Sequence, residues 1–218
     1  MPTRVHPQKN ADSTAIRGLY AIADTTVIAE PELLAAVEQA ILGGARVVQY
    51  RDKRGQAEQR ERQAQTLAGL CAANGVTFIV NDDVALATRV QAHGVHLGRE
   101  DAAIGEARRR LGADAVIGVS CYNALERALA AEAQGADYVA FGSVYPSPTK
   151  PAAVRANTEL LRQAKARLRV PVVAIGGITT ENAASLIAAG ADAVAVISDL
   201  FARPDIQAAA RGFSRLFR

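Results

Sequence analysis

Along this 218-residue sequence, short apolar runs are repeatedly followed at once by charged, hydroxyl or glycine residues. Arg51-Asp52-Lys53 follow the run 46–50, and Asn81-Asp82-Asp83 follow 76–80. Gly98-Arg99-Glu100-Asp101 come after 94–97, Ser120 after 115–119, and Thr149-Lys150 beyond 137–141. Gly176-Gly177 follow 171–175, and Ser198-Asp199 follow 193–197. Carboxylates, cations and bare backbone in this combination suit phosphorylated substrates held with a metal ion. Covalent catalysis is disfavoured: Cys121 is placed where it could line a pocket, but no His is spaced to activate it.

Each group has a plainer reading as well. Asp82 and Asp101 stand at the ends of neighbouring runs and could converge on one hard cation, for which Mg²⁺ is the natural choice. Against this, Asp82 or Asp83 could simply cap a helix starting near Val84, one capping while the other faces a site, and Asp101 carries a similar ambiguity. His93 and His96 do not make a zinc site, because His96 falls inside a short strand and His93 just before it. Gly177 and Ser198 could present N–H and hydroxyl groups to a phosphate, or the glycines could form a tight turn with Thr179 as cap. Arg51 and Lys53, two apart in an extended segment, face the same way as Gln49. Lys150 sits in a proline-rich loop with Ser147 and Thr149. Any one lysine is ordinarily a solvated charge, but three cations beside a candidate metal site point to a leaving group more highly charged than a monophosphate.

The elements that must position these residues are legible from periodicity. The apolar runs 19–23, 46–50, 76–80, 94–97, 115–119, 137–141, 171–175 and 193–197 are continuous rather than alternating, as in parallel strands covered on both faces. Between them lie Ala-rich segments of helical period, such as PELLAAVEQAILGG, with Pro31 in its first turn and Gly43 at its end. A phrase also recurs at the joins (GGARVV, NGVTFIV, HGVHL, QGADYV, AGADAV). Eight such units predict an α/β fold, a single-domain (β/α)8 TIM barrel over 18–218, preceded by a flexible N-terminal segment, 1–17. The competing open doubly wound sheet would stop at five or six strands and often show GxGxxG after the first, where this chain has Asp24-Thr25-Thr26. In a barrel, catalytic groups belong directly after the strands, where the polar residues fall. The loop GSVYPSPTKPAAVRA, after the sixth run, is too long for an ordinary turn and is expected to be functional.

Composition narrows the function classes. Half the residues are apolar and 22% charged, which supports a sizeable core. No segment approaches the ~18 uninterrupted apolar residues of a membrane span, and the N-terminus lacks an apolar signal core, so a soluble, cytoplasmic protein is expected. The net charge of +3 is dispersed over helix faces, and there is no Trp, so nucleic acid is not an expected partner. Cys71 and Cys121 do not make a disulfide framework, and Cys71 reads as packing. A homo-oligomer is left open.

Taken together, these motifs make the sequence resemble the thiamine-phosphate synthase family, over nearly the whole barrel from LYAIAD at 19–24 to VISDLF at 196–201. Gln49-Tyr50-Arg51-Asp52-Lys53 matches the family's Q-x-R-x-K. Asn81-Asp82-Asp83, Gly94-Val95-His96-Leu97-Gly98 with Glu100-Asp101, and Ala174-Ile175-Gly176-Gly177-Ile178 match in order. The segment 142–150, ending Ser147-Pro148-Thr149-Lys150, is similar to G-x-V-F-x-T-x-T-K. The resemblance implies condensation of hydroxymethylpyrimidine diphosphate with hydroxyethylthiazole phosphate to thiamine phosphate and pyrophosphate. It implies Mg²⁺ held by Asp82 and Asp101, and diphosphate neutralised by Arg51, Lys53 and Lys150. Gln49 and Asn81 would position the pyrimidine, and Ser120 would lie close to the reacting groups. Ser147, Thr149, Gly177, Ile197 and Ser198 would receive the thiazole phosphate. The chain departs from the family pattern at Arg99 (usually Gln), Ser147 (usually Thr) and Asp199 (usually small). A thiazole tautomerase of the same barrel family, or a non-catalytic thiazole-phosphate-binding regulator, are the alternatives. Neither needs the metal carboxylates and diphosphate cations that this chain retains.

Overall fold

The computed structural model describes residues 16–146 and 155–218. Its strands are β1 (Gly18–Asp24), β2 (Val47–Arg51), β3 (Thr77–Asn81), β4 (Gly94–Leu97), β5 (Val116–Tyr122), β6 (Tyr138–Phe141), β7 (Val172–Ile175) and β8 (Ala193–Val196). Each pairs in parallel with the next, and β8 closes on β1, giving the expected (β/α)8 barrel. The helices are α1 (Leu33–Leu42), α2 (Ala57–Ala73), α3 (Val84–Arg89), α4 (Ile104–Leu111), α5 (Leu125–Ala133), α6 (Thr158–Arg167), α7 (Ala183–Ala188), the short α8 (Ser198–Phe201) and α9 (Ile206–Arg215). Pro31 lies in a 3-10 turn, Glu30–Glu32, that leads into α1. Among the described residues no helix is long and apolar enough to cross a membrane.

Every apolar run of the sequence is a strand, but four strands reach further than the runs, with β2 taking in Arg51 and β3 taking in Asn81. β1 takes in Asp24. β5 takes in Ser120, Cys121 and Tyr122, so Ser120 lies within the strand rather than after it. Its pairing with β6 slips between Ser120 and Tyr122, where Tyr122 adopts φ 57°. The strand therefore carries polar residues to the rim that periodicity alone assigns to a loop.

The two-residue alternation of a strand sorts side chains into two separate clusters. Leu19, Ala21, Val48, Phe78, Val95, Ile117 and Cys121 face outward and pack under the helices. Tyr20, Ile22, Val47, Ile79, Tyr138 and Val173 face inward and fill the barrel. Ile16, 2% exposed, joins this inner cluster from just before β1. Residues 1–15 of the expected N-terminal segment lie outside the described residues.

The inner cluster is filled by pairing large rings with missing side chains. A Cβ at Gly118 would stand 1.9 Å from the Tyr138 ring, and one at Gly94 would stand 1.8 Å from the carbonyl oxygen of Val116. Ala140, Ala193 and Ala195 line the remaining space. Gly118→Ala is therefore expected to displace Tyr138 and destabilise the protein by about 1–3 kcal/mol, the usual cost of overpacking. A lower urea midpoint at unchanged denaturant slope would show it.

Candidate active site at the carboxyl ends of the strands

A cavity of about 840 Å³ opens at the carboxyl ends of the strands. Gln49, Arg51 and Lys53 reach it from β2 and the residues beyond, as their alternation requires, and Asn81 and Asp82 reach it from the end of β3. Asp101 arrives from the loop after β4, Ser120 from β5 and Ile197 from the end of β8.

Arg51 is not simply presented to solvent. Its guanidinium is bonded to Asp24, which stands beside it in register on β1 and is fully buried. The same carboxylate accepts hydrogen bonds from the Thr26 backbone N–H at 2.9 Å and the Thr26 hydroxyl at 2.7 Å. Asp24 thus fixes where the Arg51 charge sits. The sequence signal for it, an aspartate ending the strand next to Arg51, has meaning only once the two strands are known to be neighbours. Asp52 turns away and accepts the backbone N–H groups of Arg54 and Gly55, each at 2.9 Å, shaping the turn. Burial works against ionisation of Asp52, but these donors prevail and hold its carboxyl below the usual range.

The ambiguity between Asp82 and Asp83 resolves into a division of labour. Asp83 caps α3, accepting the Leu86 N–H at 2.8 Å, and bonds Arg60 at 3.1 Å. Asp82, at φ 63°, turns into the cavity, where Lys53 Nζ lies 3.4 Å from its Oδ2. Asp101 accepts the Gly98 N–H, and its carboxyl lies against that of Asp82. Burial first, then the Asp82 hydrogen bond and charge, raise the Asp101 carboxyl above its ordinary value. Two carboxylates pressed together with only oxygen donors fit a hard divalent cation, which would relieve their repulsion. Among the described residues there is no group of three or more His, Cys, Asp or Glu placed to hold a metal.

Beside this cavity lies a second, of about 430 Å³, that shares Ile175, Gly176, Ala195 and Ile197 with it. Gly177, Thr179, Ser198, Asp199 and Arg203 line the second cavity. Gly177 has φ 63°, and a Cβ there would meet the Pro146 carbonyl oxygen at 2.3 Å, so only glycine lets the two loops approach. Thr179 does not cap the following helix. Asn182 precedes α7, accepts the Thr179 N–H at 2.9 Å and donates to the Gly177 carbonyl at 3.0 Å. Asp199 is held by Arg203, whose Nε is 2.9 Å away, and accepts the Thr180 N–H at 3.2 Å, tying the loops after β7 and β8 together. Arg203 brings to this cavity a cation that sequence reasoning overlooked.

The structure therefore brings together Gln49, Arg51, Lys53, Asn81, Asp82, Asp101 and Ser120 in one cavity, and Gly177 and Ser198 in the next, with Ile197 common to both. Ser147, Thr149 and Lys150 lie outside the described residues. Arg99 stacks on Tyr122, 5.0 Å from the ring centroid, with Arg127 5.8 Å from the same ring. Cys121 does not line the cavity. It points into the helix layer, where burial pushes its thiol up to about 12, and Cys71 is buried and shifted in the same way. Sequence reasoning overlooked Tyr20, His96 and Tyr138 as cavity residues, because each reads as an ordinary core position in an apolar run.

A closed barrel whose mouth pairs carboxylates with cations, beside a glycine-rich anion cradle, belongs to the class of (β/α)8 enzymes that handle phosphorylated substrates. The family model described as thiamine monophosphate synthase matches residues 19–200. The thiamine-phosphate synthase of Thioalkalivibrio sulfidiphilus is 54% identical over 202 residues, covering 93% of this chain and 96% of the relative. That of Thiobacillus denitrificans is 56% identical over 200 residues, covering 92% and 94%. Among solved structures, the thiamine phosphate pyrophosphorylase from Pyrococcus furiosus superposes with a TM-score of 0.84 at 36% identity, covering 92% of this chain and 95% of that one. The chain belongs to the thiamine monophosphate synthase family. Its activity is that of a thiamine-phosphate synthase, a transferase of thiamine biosynthesis.

Asp24→Ala, which strips Arg51 of its buried counter-charge, is expected to cost about 3 kcal/mol of stability. The urea midpoint checks this, with Asp24→Asn falling between the alanine variant and the parent.

Proposed function

We propose that the larger cavity binds hydroxymethylpyrimidine diphosphate, the smaller binds hydroxyethylthiazole phosphate, and the two react across the wall the cavities share. The observation that carries this assignment is the pair of adjoining cavities with different chemistry. One holds Asp82, Asp101, Arg51 and Lys53, and the other offers the loops after β7 and β8 with Ser198 and Arg203. Gln49 and Asn81 position the pyrimidine, and Ser120 lies close to the reacting groups. Gly177, Ile197 and Ser198 receive the thiazole phosphate. Ser147 and Thr149 complete that phosphate site in this reading, and Lys150 adds a third cation to the diphosphate.

The chemistry follows from charge. Pyrophosphate leaves readily only if its growing negative charge is met, and Arg51 and Lys53 stand where they can meet it. Mg²⁺ on Asp82 and Asp101 would supply further Lewis-acid stabilisation of the leaving group when bound. The electron-rich aminopyrimidine stabilises the methylene cation left behind, and the thiazole nitrogen captures it. No protein nucleophile is needed, in keeping with the outward-facing, protonated cysteines. The chain's own contribution is positioning, fixed charge and exclusion of water. A cytoplasmic location belongs to the same proposal. The tautomerase and regulator readings gain no support from the likenesses above.

Purified protein should release pyrophosphate only with both substrates and Mg²⁺, forming thiamine phosphate in equal amount. Thiazole-phosphate binding without pyrophosphate release would overturn the reading. Asp82→Asn should abolish Mg²⁺-dependent turnover while leaving thiazole-phosphate binding, measured by calorimetry, largely intact. Lys150→Ala should lower kcat by ~10²–10³-fold, as loss of a transition-state charge contact does.

A further inference from the structure

Below the mouth, a continuous chain of hydrogen bonds crosses the barrel interior, and the function proposed above uses only its two ends. Gln49 Nε2 donates to the Tyr20 hydroxyl at 2.7 Å, and the Tyr20 and Tyr138 hydroxyls lie 2.8 Å apart. The Tyr138 hydroxyl is 2.9 Å from His96 Nδ1, and His96 Nε2 is 2.9 Å from Ser120 Oγ. The His96 and Tyr138 rings stack with centroids 5.5 Å apart at an interplanar angle of 28°. Tyr20, Tyr138, Gln49 and His96 are all buried, and the two phenols take their partners from within the chain.

With the Gln49 amide donating to Tyr20, that arrangement sets the direction of every proton. Burial pushes both phenols above their ordinary value, so each keeps its single proton and needs an acceptor for it. Tyr20 already receives the Gln49 N–H, so its own proton passes to Tyr138. The Tyr138 proton then goes to His96 Nδ1, which must be bare. The imidazole hydrogen therefore sits on Nε2 and is donated to Ser120 Oγ. The Ser120 proton and the second Gln49 amide hydrogen are left over at the two ends of the chain, and both residues line the cavity.

We propose that this chain fixes Ser120 as a hydrogen-bond donor to an acceptor atom of the pyrimidine diphosphate, with Tyr138 and His96 as positioning residues that hold it in that role. The inference rests on the reading that places Ser120 beside the reacting groups. It also links the two ends. With the Gln49 amide turned over, Oε1 would accept from Tyr20, every bond would reverse, the imidazole hydrogen would move to Nδ1, and Ser120 would face the substrate as an acceptor. The amide that meets the pyrimidine and the hydroxyl that meets the reacting centre are thus set together.

The test begins with two-bond proton–nitrogen correlations on ¹⁵N-histidine-labelled protein. The chain has three histidines, and His96 is identified by its loss in His96→Gln. A protonated Nε2 and a bare, hydrogen-bonded Nδ1 are expected, and a protonated Nδ1 overturns the proposal. Tyr138→Phe should shift the His96 Nδ1 resonance and lower kcat about tenfold or more, with KM for either substrate changed by no more than about twofold. In a Ser120→Ala background the same substitution should cost no more than about a further twofold, because its effect passes through the missing hydroxyl. An equal loss in both backgrounds would make Tyr138 merely structural and overturn the proposal. His96→Gln, which keeps a donor near the Nε2 position, should retain more kcat than His96→Leu. Because the tautomer is read without turnover, a wrong tautomer refutes the chain, whereas failure of the parent protein to release pyrophosphate refutes the synthase reading.

Discussion

Closure of eight parallel strands into one barrel is the constraint on which the rest depends. Because all strands run the same way, every carboxyl end opens on a single face, and residues remote in sequence meet there without a loop having to reach across the molecule. The same closure buries the interior side chains. Each inward polar group must find a partner within the barrel, and Tyr20, Tyr138 and His96 satisfy one another on this account. The barrel also rations volume, so that Gly118 exists to accommodate the Tyr138 ring.

Charge at the mouth is managed by compensation rather than by accumulation. Arg51 is steadied by a buried Asp24, Asp199 is paired with Arg203, and Lys53 leans on Asp82. Asp101 is the exception: it is held against Asp82 at the cost of an elevated carboxyl. Such frustration marks a place where a ligand, rather than the fold, completes the electrostatics. Asp199, an acid standing close to a proposed phosphate site, loses its threat in this light, because Arg203 neutralises it and its second oxygen is spent on the Thr180 backbone.

Much of this was legible in the sequence. Parallel strands buried on both faces must be continuous apolar runs, so the strands and their order could be counted, and the residues following them had to converge. Gln49, Arg51, Lys53, Asp82 and Asp101 were recoverable by that logic alone. The rest was hidden for definite reasons. Asp24 acquires its role from a partner on the neighbouring strand, and Tyr20 and Tyr138 look like any core aromatic until the barrel shows that they face inward. Ser120 belongs to a strand because the β5–β6 pairing runs past the apolar run to Ser120 and Ala140, which no local pattern announces. Cys121 was misplaced by one step of the same alternation, its side chain facing the helices instead of the cavity.

The wall between the two cavities has a chemical consequence of its own. It is built from Ile175, Gly176, Ala195 and Ile197, and so presents only hydrocarbon and backbone where the two substrates would meet. An electrophile released against such a wall finds no thiol, amine or imidazole on it to capture the carbon. The cysteine nearest in sequence to Ser120 is turned outward and kept protonated by its surroundings. The wall itself therefore offers no nucleophile to compete with the incoming substrate.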